Sequence, residues 1–259
     1  MMSTPVPYPA VLCDLTIAVP CLNEEGQIGG TLAALGKVCS TFPAIKTQVI
    51  VIDDGSSDKT SEVVRNYAQA HPEVSLIVNP RNMGLGSSIK ASIRNAAGRR
   101  LLIVPGDNDL PEEALSALVG HSKDADLVMC YFLNNEVRGQ VRNLISTAFG
   151  LIYTACFDIY PQYINGPCVY PVGALRELDI FSTRFSIVAE LNVKLLRRGV
   201  SFMEVASVRQ VGLEGSTSFS LRNLLETATV FFRLLYEIHI RNSAFYAKRP
   251  VRIFGNVPR

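Results

Sequence analysis

Leu101-Leu102-Ile103-Val104-Pro105-Gly106-Asp107-Asn108-Asp109-Leu110 is an apolar run that ends in two carboxylates one residue apart. Its first residues have the character of a buried strand. Carboxylates at a strand end are costly unless something cationic pairs with them. A divalent metal carrying a diphosphate meets that need, because hard cations take oxygen ligands and keep positions open for phosphates. Working outward, Gln48-Val49-Ile50-Val51-Ile52 is a second such run, and it leads into Asp53-Asp54-Gly55-Ser56-Ser57-Asp58. Two acidic strand ends point to a nucleotide site along one edge of a sheet. A plain turn competes as the explanation for each, since Gly-Asp-Asn-Asp and Asp-Asp-Gly-Ser are turn-prone. Pro111-Glu112-Glu113, one residue beyond the first pair, is a good helix start and favours a strand–loop–helix unit.

The same rhythm extends over the first half of the chain. Leu15 to Val19 is a strand, and Asn23-Glu24-Glu25 opens a helix to about Val38. After the strand Gln48 to Ile52, Ser57-Asp58 caps a helix to Ala70. Val74 to Val78 is a third strand, a helix runs from Gly86 to Ala97, and Leu101 to Val104 is a fourth strand. Mostly apolar strands alternating with helices predict an α/β fold, a mostly parallel sheet with helices on both faces. Ligands in such sheets bind beyond the carboxyl ends of the strands. Pro20 to Glu24, Asp53-Asp54 and Asp107 to Asp109 all fall at such ends. Beyond a strand at Ala125 to Cys130 the spacing predicts a helix over 138–157 and a Gly/Pro-punctuated stretch at 162–170. A helix at Ile187 to Arg198, a strand at Ser201 to Val208 and a long helix from Leu221 to Arg241 follow.

A chain of 259 residues with 48% hydrophobic and 19% charged residues has material for one large core with room for a second small lobe. A net charge of +2 is too small to argue for nucleic acid. The basic residues thicken after residue 138, which suits either anionic lipid or a solvated surface. The six cysteines show no CxxC spacing and read as small buried hydrophobes of a reducing compartment. The segment from Met1 to Ala10 is broken by prolines and is not expected to be a signal peptide. No apolar run approaches the ~20 residues of a spanning helix. The expectation is a cytoplasmic protein whose membrane contact, if any, is peripheral at the cytoplasmic face.

Two further motifs lie at the same edge. Pro20-Cys21-Leu22-Asn23-Glu24 is not the GxGxxG fingerprint, so a nicotinamide cofactor is disfavoured. Asn82-Met83-Gly84-Leu85-Gly86, with Arg81 beside it, is a Gly-rich helix entry whose backbone N–H groups could approach a diphosphate. Asp53, nearest its strand end, is the better of its pair to hold a nucleobase or ribose.

In this order the motifs resemble the inverting family 2 glycosyltransferases with a GT-A fold, and within them the dolichol- and polyprenol-phosphate sugar synthases. The resemblance spans roughly residues 15–215. It implies a nucleotide-sugar-binding half at about 12–130, an acceptor half at about 131–220, and a C-terminal amphipathic helix with a basic tail at 221–259. Pro20, Asn23, Glu24, Asp53, Gly84, Gly86 and Asp107 would line the nucleotide pocket. Asp107 and Asp109 would hold Mg²⁺ or Mn²⁺ and the diphosphate, and with Arg142 would carry catalysis. Arg138, Arg142 and Ser146 resemble the helix segment that grips the acceptor phosphate. A solvated helix face is the alternative for the two arginines. Ile164 to Tyr170 and Phe185 to Glu190 resemble two further acceptor-half segments.

There are departures from the family pattern. Pro111 stands where the family often has Gln, which leaves Glu112 as an alternative ligand. Cys21 replaces a Tyr, and Arg209…Gly215-Ser216-Thr217 alters the late Arg…Gly-Glu-Ser-Lys segment. The implied activity is metal-assisted transfer of a sugar, with inversion, from a UDP- or GDP-sugar to a polyprenyl phosphate at a membrane surface. Rival functions are transfer to a hydroxyl acceptor and a non-catalytic binding or scaffold role. An oligomer is compatible with the sequence. The last helix has an apolar face suited either to a membrane interface or to packing on the domain.

Overall fold

The computed structural model describes residues 8–134, 140–209 and 221–254, with the side chains of 140–142 and 221–224 outside the description. The chain runs β1 (Cys13–Cys21), α1 (Ile28–Ser40), β2 (Thr47–Asp53), α2 (Thr60–Ala70), β3 (Val74–Val78), α3 (Leu85–Asn95), β4 (Gly98–Ile103) and α4 (Glu112–Gly120). It continues through β5 (Leu127–Phe132), α5 (Gln140–Phe157), β6 (Cys168–Pro171), α6 (Val172–Arg176), α7 (Ile187–Arg197), β7 (Ser201–Ser207) and α8 (Leu221–Tyr236). A π-helical turn, Glu237–Arg241, extends α8, and the two-residue strand β8 (Val251–Arg252) follows.

One sheet passes through both halves in the order β3-β2-β1-β4-β6-β5-β7-β8. All neighbours pair in parallel except β6, which is antiparallel to β4 and β5. Strand alternation divides the core between the two faces. Leu15, Ile17, Val19, Val49 and Val51 join Leu102, Val128 and Val205 under α1 and α4. Ala18, Ile50, Ile52, Leu101, Ile103 and Met129 face α3, α5, α7 and α8. Burial on both faces is why these strands read as continuous apolar runs.

Several local expectations need correction. Asn23-Glu24-Glu25 does not open α1, which begins at Ile28. Asn23 has a left-handed φ of 56°. The N–H groups of Asn23, Glu24 and Glu25 bond instead to Ser56 Oγ, Thr60 Oγ1 and Asp58 Oδ2. A cross-loop network therefore displaces the first helical turn. The punctuated stretch 162–170 contains the start of β6, a four-residue strand too short to leave a period in the sequence. The last helix is α-helical only to Tyr236, and its wider final turn places both Glu237 and Ile238 inward. Its buried residues Val230, Leu234 and Ile238 pack into the core. All six cysteines are free. No helix among the described residues is long and apolar enough to cross a membrane.

Candidate functional site at the strand ends

Backbone hydrogen bonds staple the carboxyl ends of four neighbouring strands in order. Asn79 N–H donates to Asp53 O across β3 and β2, and Asp54 N–H to Cys21 O across β2 and β1 (2.8 and 2.9 Å). Val104 N–H to Ala18 O and Gly106 N–H to Pro20 O join β4 to β1 (2.9 and 3.1 Å). Thr31 Oγ1 of α1 donates to Gly106 O at 3.0 Å. The loop that carries Asp107 and Asp109 is thus anchored from two sides.

Asn108 has φ 56°, which turns the chain sharply between the two aspartates. Asp107 Oδ1 accepts the N–H of Asp109 at 3.2 Å, and both residues are half-buried. Glu24 shares this space. Its carboxyl is raised above the ordinary value, first by burial and then by the negative charges of Asp107 and Asp58. Among the described residues no ion pair reaches Glu24, Asp58 or Asp107. The Glu24 carboxyl therefore stands in the field of two aspartates, whereas the Asp58 carboxyl is held below its ordinary value, hydrogen bonds from Thr60 and Glu25 outweighing its burial.

The second acidic pair divides its labour. Asp53 is 1% exposed, and its carboxylate accepts the N–H of Ser56 at 2.8 Å and the hydroxyl of Ser61. It holds the β2–α2 turn together. Asp54, also buried, takes Asn79 Nδ2 (2.7 Å), Met83 N–H (3.0 Å) and Gly84 N–H (2.7 Å). Asp54 thereby fixes the Gly-rich loop, a role that its adjacency to Asp53 did not announce.

The glycines of that loop have a packing role. Gly84 has φ 88°, and a Cβ there would lie 2.4 Å from Thr183 O. A Cβ on Gly86 would lie 2.6 Å from Thr183 C, and Gly86 N–H donates to Thr183 O at 3.0 Å. The two N–H groups aimed by sequence at a diphosphate are engaged within the protein. Thr183 belongs to a stretch held by Glu190, whose carboxylate accepts the N–H groups of Phe181 (3.0 Å) and Ser182 (2.8 Å). No sequence motif marks Thr183, so this contact was invisible beforehand.

Pro20 is buried at the end of β1, with its carbonyl serving Gly106. Asn23 is exposed, and its Oδ1 accepts Ser57 N–H at 2.8 Å. The Cys21 thiol is pushed up to about 12, by burial and then by Asp53, and stays neutral. Glu112 does not turn to the aspartates. It pairs with Lys37 of α1 at 2.5 Å in an exposed ion pair. Ser146 lies half-buried on α5. Arg142 lies on the same helix with its side chain outside the description, and Arg138 lies outside the described residues. Gly215, Ser216 and Thr217 lie outside them too, whereas Arg209 lies two residues beyond β7 with its guanidinium 3.7 Å from the centre of the Phe132 ring. No group of three or more His, Cys, Asp or Glu side chains forms a metal cage among the described residues.

Known proteins resemble this chain in sequence and in fold. A 110-residue stretch is 36% identical to a dolichyl-phosphate beta-glucosyltransferase of Trichomonas vaginalis, covering 39% of this chain and 33% of that protein. The human dolichyl-phosphate beta-glucosyltransferase is 34% identical over 100 residues, 36% of this chain and 31% of that protein. The alignments span about a third of the length of these curated relatives. The crystal structure of glucosyl-3-phosphoglycerate synthase from Mycobacterium tuberculosis, in complex with Mn²⁺ and UDP-glucose, has a TM-score of 0.60. It is 19% identical over 89% of this chain and 81% of that chain, a likeness of fold that agrees with the GT-A architecture expected from sequence. The model described as Glycosyl transferase family 2 matches residues 16–181. That match covers well over half of the chain and includes the strand-end carboxylates, and it makes this protein a member of glycosyl transferase family 2.

Proposed function

We propose that the protein transfers a sugar from a nucleotide-sugar donor to a polyprenyl phosphate of the dolichyl or undecaprenyl type, with inversion, at a membrane surface. The observation that carries this reading is the acidic strand edge of Glu24, Asp107 and Asp109, where burial and the charge of Asp107 raise the Glu24 carboxyl. The names of the relatives, dolichyl-phosphate beta-glucosyltransferases, supply the acceptor class and make UDP-glucose the first donor to test.

The donor set suits Mg²⁺ or Mn²⁺. It offers carboxylate oxygens, the ligand type that Mg²⁺ takes when it keeps further positions for a phosphate substrate. Asp107 and Asp109 would hold the ion. Bound there, it would supply positive charge to the departing nucleoside diphosphate. Pro20, Asn23, Glu24 and Asp53 would line the nucleotide pocket, with Asp54 keeping the Gly84–Gly86 loop in place.

The acceptor side needs little acid–base chemistry. A phosphomonoester has its second pKa near ~6, so the acceptor is already an anionic nucleophile. This agrees with the positions of the histidines. His71 and His121 sit at the C-terminal ends of α2 and α4, and His239 bonds to Cys156 O. Arg138 and Arg142, with Ser146, would orient the acceptor phosphate, since guanidinium suits bidentate phosphate contacts. Attack on the face opposite the leaving group inverts the anomeric carbon.

The test is radiolabelled sugar transfer from UDP- and GDP-sugars to a short polyprenyl phosphate. A lipid-linked product from wild type, with an acceptor KM raised roughly tenfold in Arg142→Ala, is the expected result for a lost phosphate contact. Donor binding without lipid product would move the assignment to a hydroxyl acceptor. Absence of donor binding would favour a non-catalytic role.

A further inference from the structure

We propose that Phe181 is a positioning residue of the Gly84–Gly86 loop, through which α8 bears on donor binding. The loop is pressed by backbone. Thr183 O accepts Gly86 N–H at 3.0 Å, and a Cβ on Gly86 would lie 2.6 Å from Thr183 C. Packing this close leaves the loop no room to shift unless residue 183 shifts with it. Whatever fixes Thr183 therefore fixes the loop.

Thr183 belongs to the segment that joins α6 to α7, and each residue from Asp179 to Thr183 is held from outside. Lys194 of α7 donates to Asp179 O, and Lys90 of α3 donates to Ile180 O at 3.2 Å. Glu190 of α7 accepts the N–H groups of Phe181 and Ser182 at 3.0 and 2.8 Å. Phe181 is where α8 enters. The centre of its ring lies 4.4 Å from Lys194 Nζ and 4.1 Å from Cζ of Arg233, which is on α8. A ring face attracts cations at these distances, and more strongly where water is excluded, as it is around Lys194.

The consequence reaches beyond the family match, which ends at residue 181. α8 lies past that end, yet Arg233 meets Phe181, and two residues further on Thr183 meets Gly86. The other end of the loop belongs to the sheet, since Gly84 N–H donates to Asp54 at 2.7 Å. The loop is thus held on one side by a strand end and on the other by a segment that α8 helps to fix.

The part that concerns the donor rests on the reading of a nucleotide-sugar site, so the test has one readout without ligand and one with it. Without ligand, backbone hydrogen exchange is measured at Gly86 and, for comparison, at Ile17 inside β1, which reports global opening. Phe181→Leu keeps apolar bulk and removes both cation contacts. It should speed exchange at Gly86 roughly fivefold or more relative to Ile17. Arg233→Met, at an exposed position where folding is not at stake, should act in the same direction, and Arg233→Lys should recover most of that loss. With ligand, titration of UDP in Mn²⁺ should give a Kd raised by a similar factor in Phe181→Leu. The double variant Phe181→Leu/Arg233→Met should do no worse than Phe181→Leu alone, because both changes act through one ring. Equal acceleration at Gly86 and Ile17, or none at Gly86, would overturn the proposal. Selective acceleration with unchanged UDP affinity would overturn its bearing on the donor. If wild type binds no UDP the donor reading falls, and exchange alone decides whether Phe181 holds the loop.

Discussion

Two clusters of carboxylates in this molecule are built in opposite ways. At the strand ends burial and then Asp107 and Asp58 raise the Glu24 carboxyl, and no ion pair among the described residues reaches these three. Beneath the helical layer Glu190 and Glu237 are equally concentrated, but Lys194 lies 2.9 Å from each and all three side chains are at most 4% exposed. Lys194 also donates to Asp179 O and sits 4.4 Å from the centre of the Phe181 ring, and Tyr246 donates to Glu237 at 3.2 Å. The inner cluster is complete and serves the fold. The outer one lies at a half-open strand edge, where a metal-bound diphosphate would add the positive charge that no described ion pair supplies to Glu24, Asp58 or Asp107. Acidity alone therefore does not mark a site; what separates the two clusters is a buried lysine in one and a half-open strand edge in the other.

The comparison breaks most visibly at Lys194. Lys194→Met leaves two buried carboxylates without their cation and should destabilise the protein by about 3–5 kcal/mol in urea unfolding. A loss below about 1 kcal/mol, the range of exposed pairs, would show that the inner cluster does not depend on the lysine. At the outer cluster the same loss of one charged group should act on rate. Asp109→Asn is expected to lower turnover by a factor on the order of 10²–10³, as removal of one electrostatic stabiliser does elsewhere. Its melting temperature should stay near that of wild type, and near-native turnover would remove Asp109 from the chemistry.

Asp54 joins the two behaviours, being a buried carboxylate that serves the site through structure. In Asp54→Asn one acceptor oxygen becomes a donor facing the N–H groups of the loop, at a cost of about 2–3 kcal/mol. The donor KM should rise while kcat changes less, because the Gly84–Gly86 loop loses its anchor; an unchanged KM would confine Asp54 to stability. The smallest effect is expected at Glu24. Its carboxyl lies above the ordinary 4.5, so the folded state holds the proton more tightly than the unfolded chain does. The stability it contributes is then present at low pH and is lost as pH rises through its folded value. Glu24→Gln should raise the melting temperature slightly near neutral pH, with the gain fading on acidification. A gain that grows on acidification would contradict the crowding of acids at this edge.

Much of this was legible in the chain because the strands are apolar runs that end in polar residues. Leu101 to Asp109 and Gln48 to Asp54 announced both a parallel sheet and the edge where a ligand would sit. The tertiary partners of those polar residues were not legible. Asn23-Glu24-Glu25 has good helix-start chemistry, yet Ser56, Asp58 and Thr60 take its N–H groups and delay α1 to Ile28. Gly84 and Gly86 read as a phosphate cradle, but the backbone of Thr183, almost a hundred positions later, occupies the space beside them. Glu112 followed Pro111 closely enough to pass for a ligand, and only the packing of α1 against α4 revealed Lys37 as its partner. Local pattern predicts where a carboxylate starts, whereas long-range packing decides what it meets.

The most direct measurement is calorimetric titration of UDP into wild-type protein and into Asp107→Asn, in Mn²⁺ and in EDTA. The acidic strand-end cluster predicts UDP binding that requires Mn²⁺ in wild type and is lost in the variant. Equal UDP affinity with and without metal, or an unchanged affinity in Asp107→Asn, would contradict it.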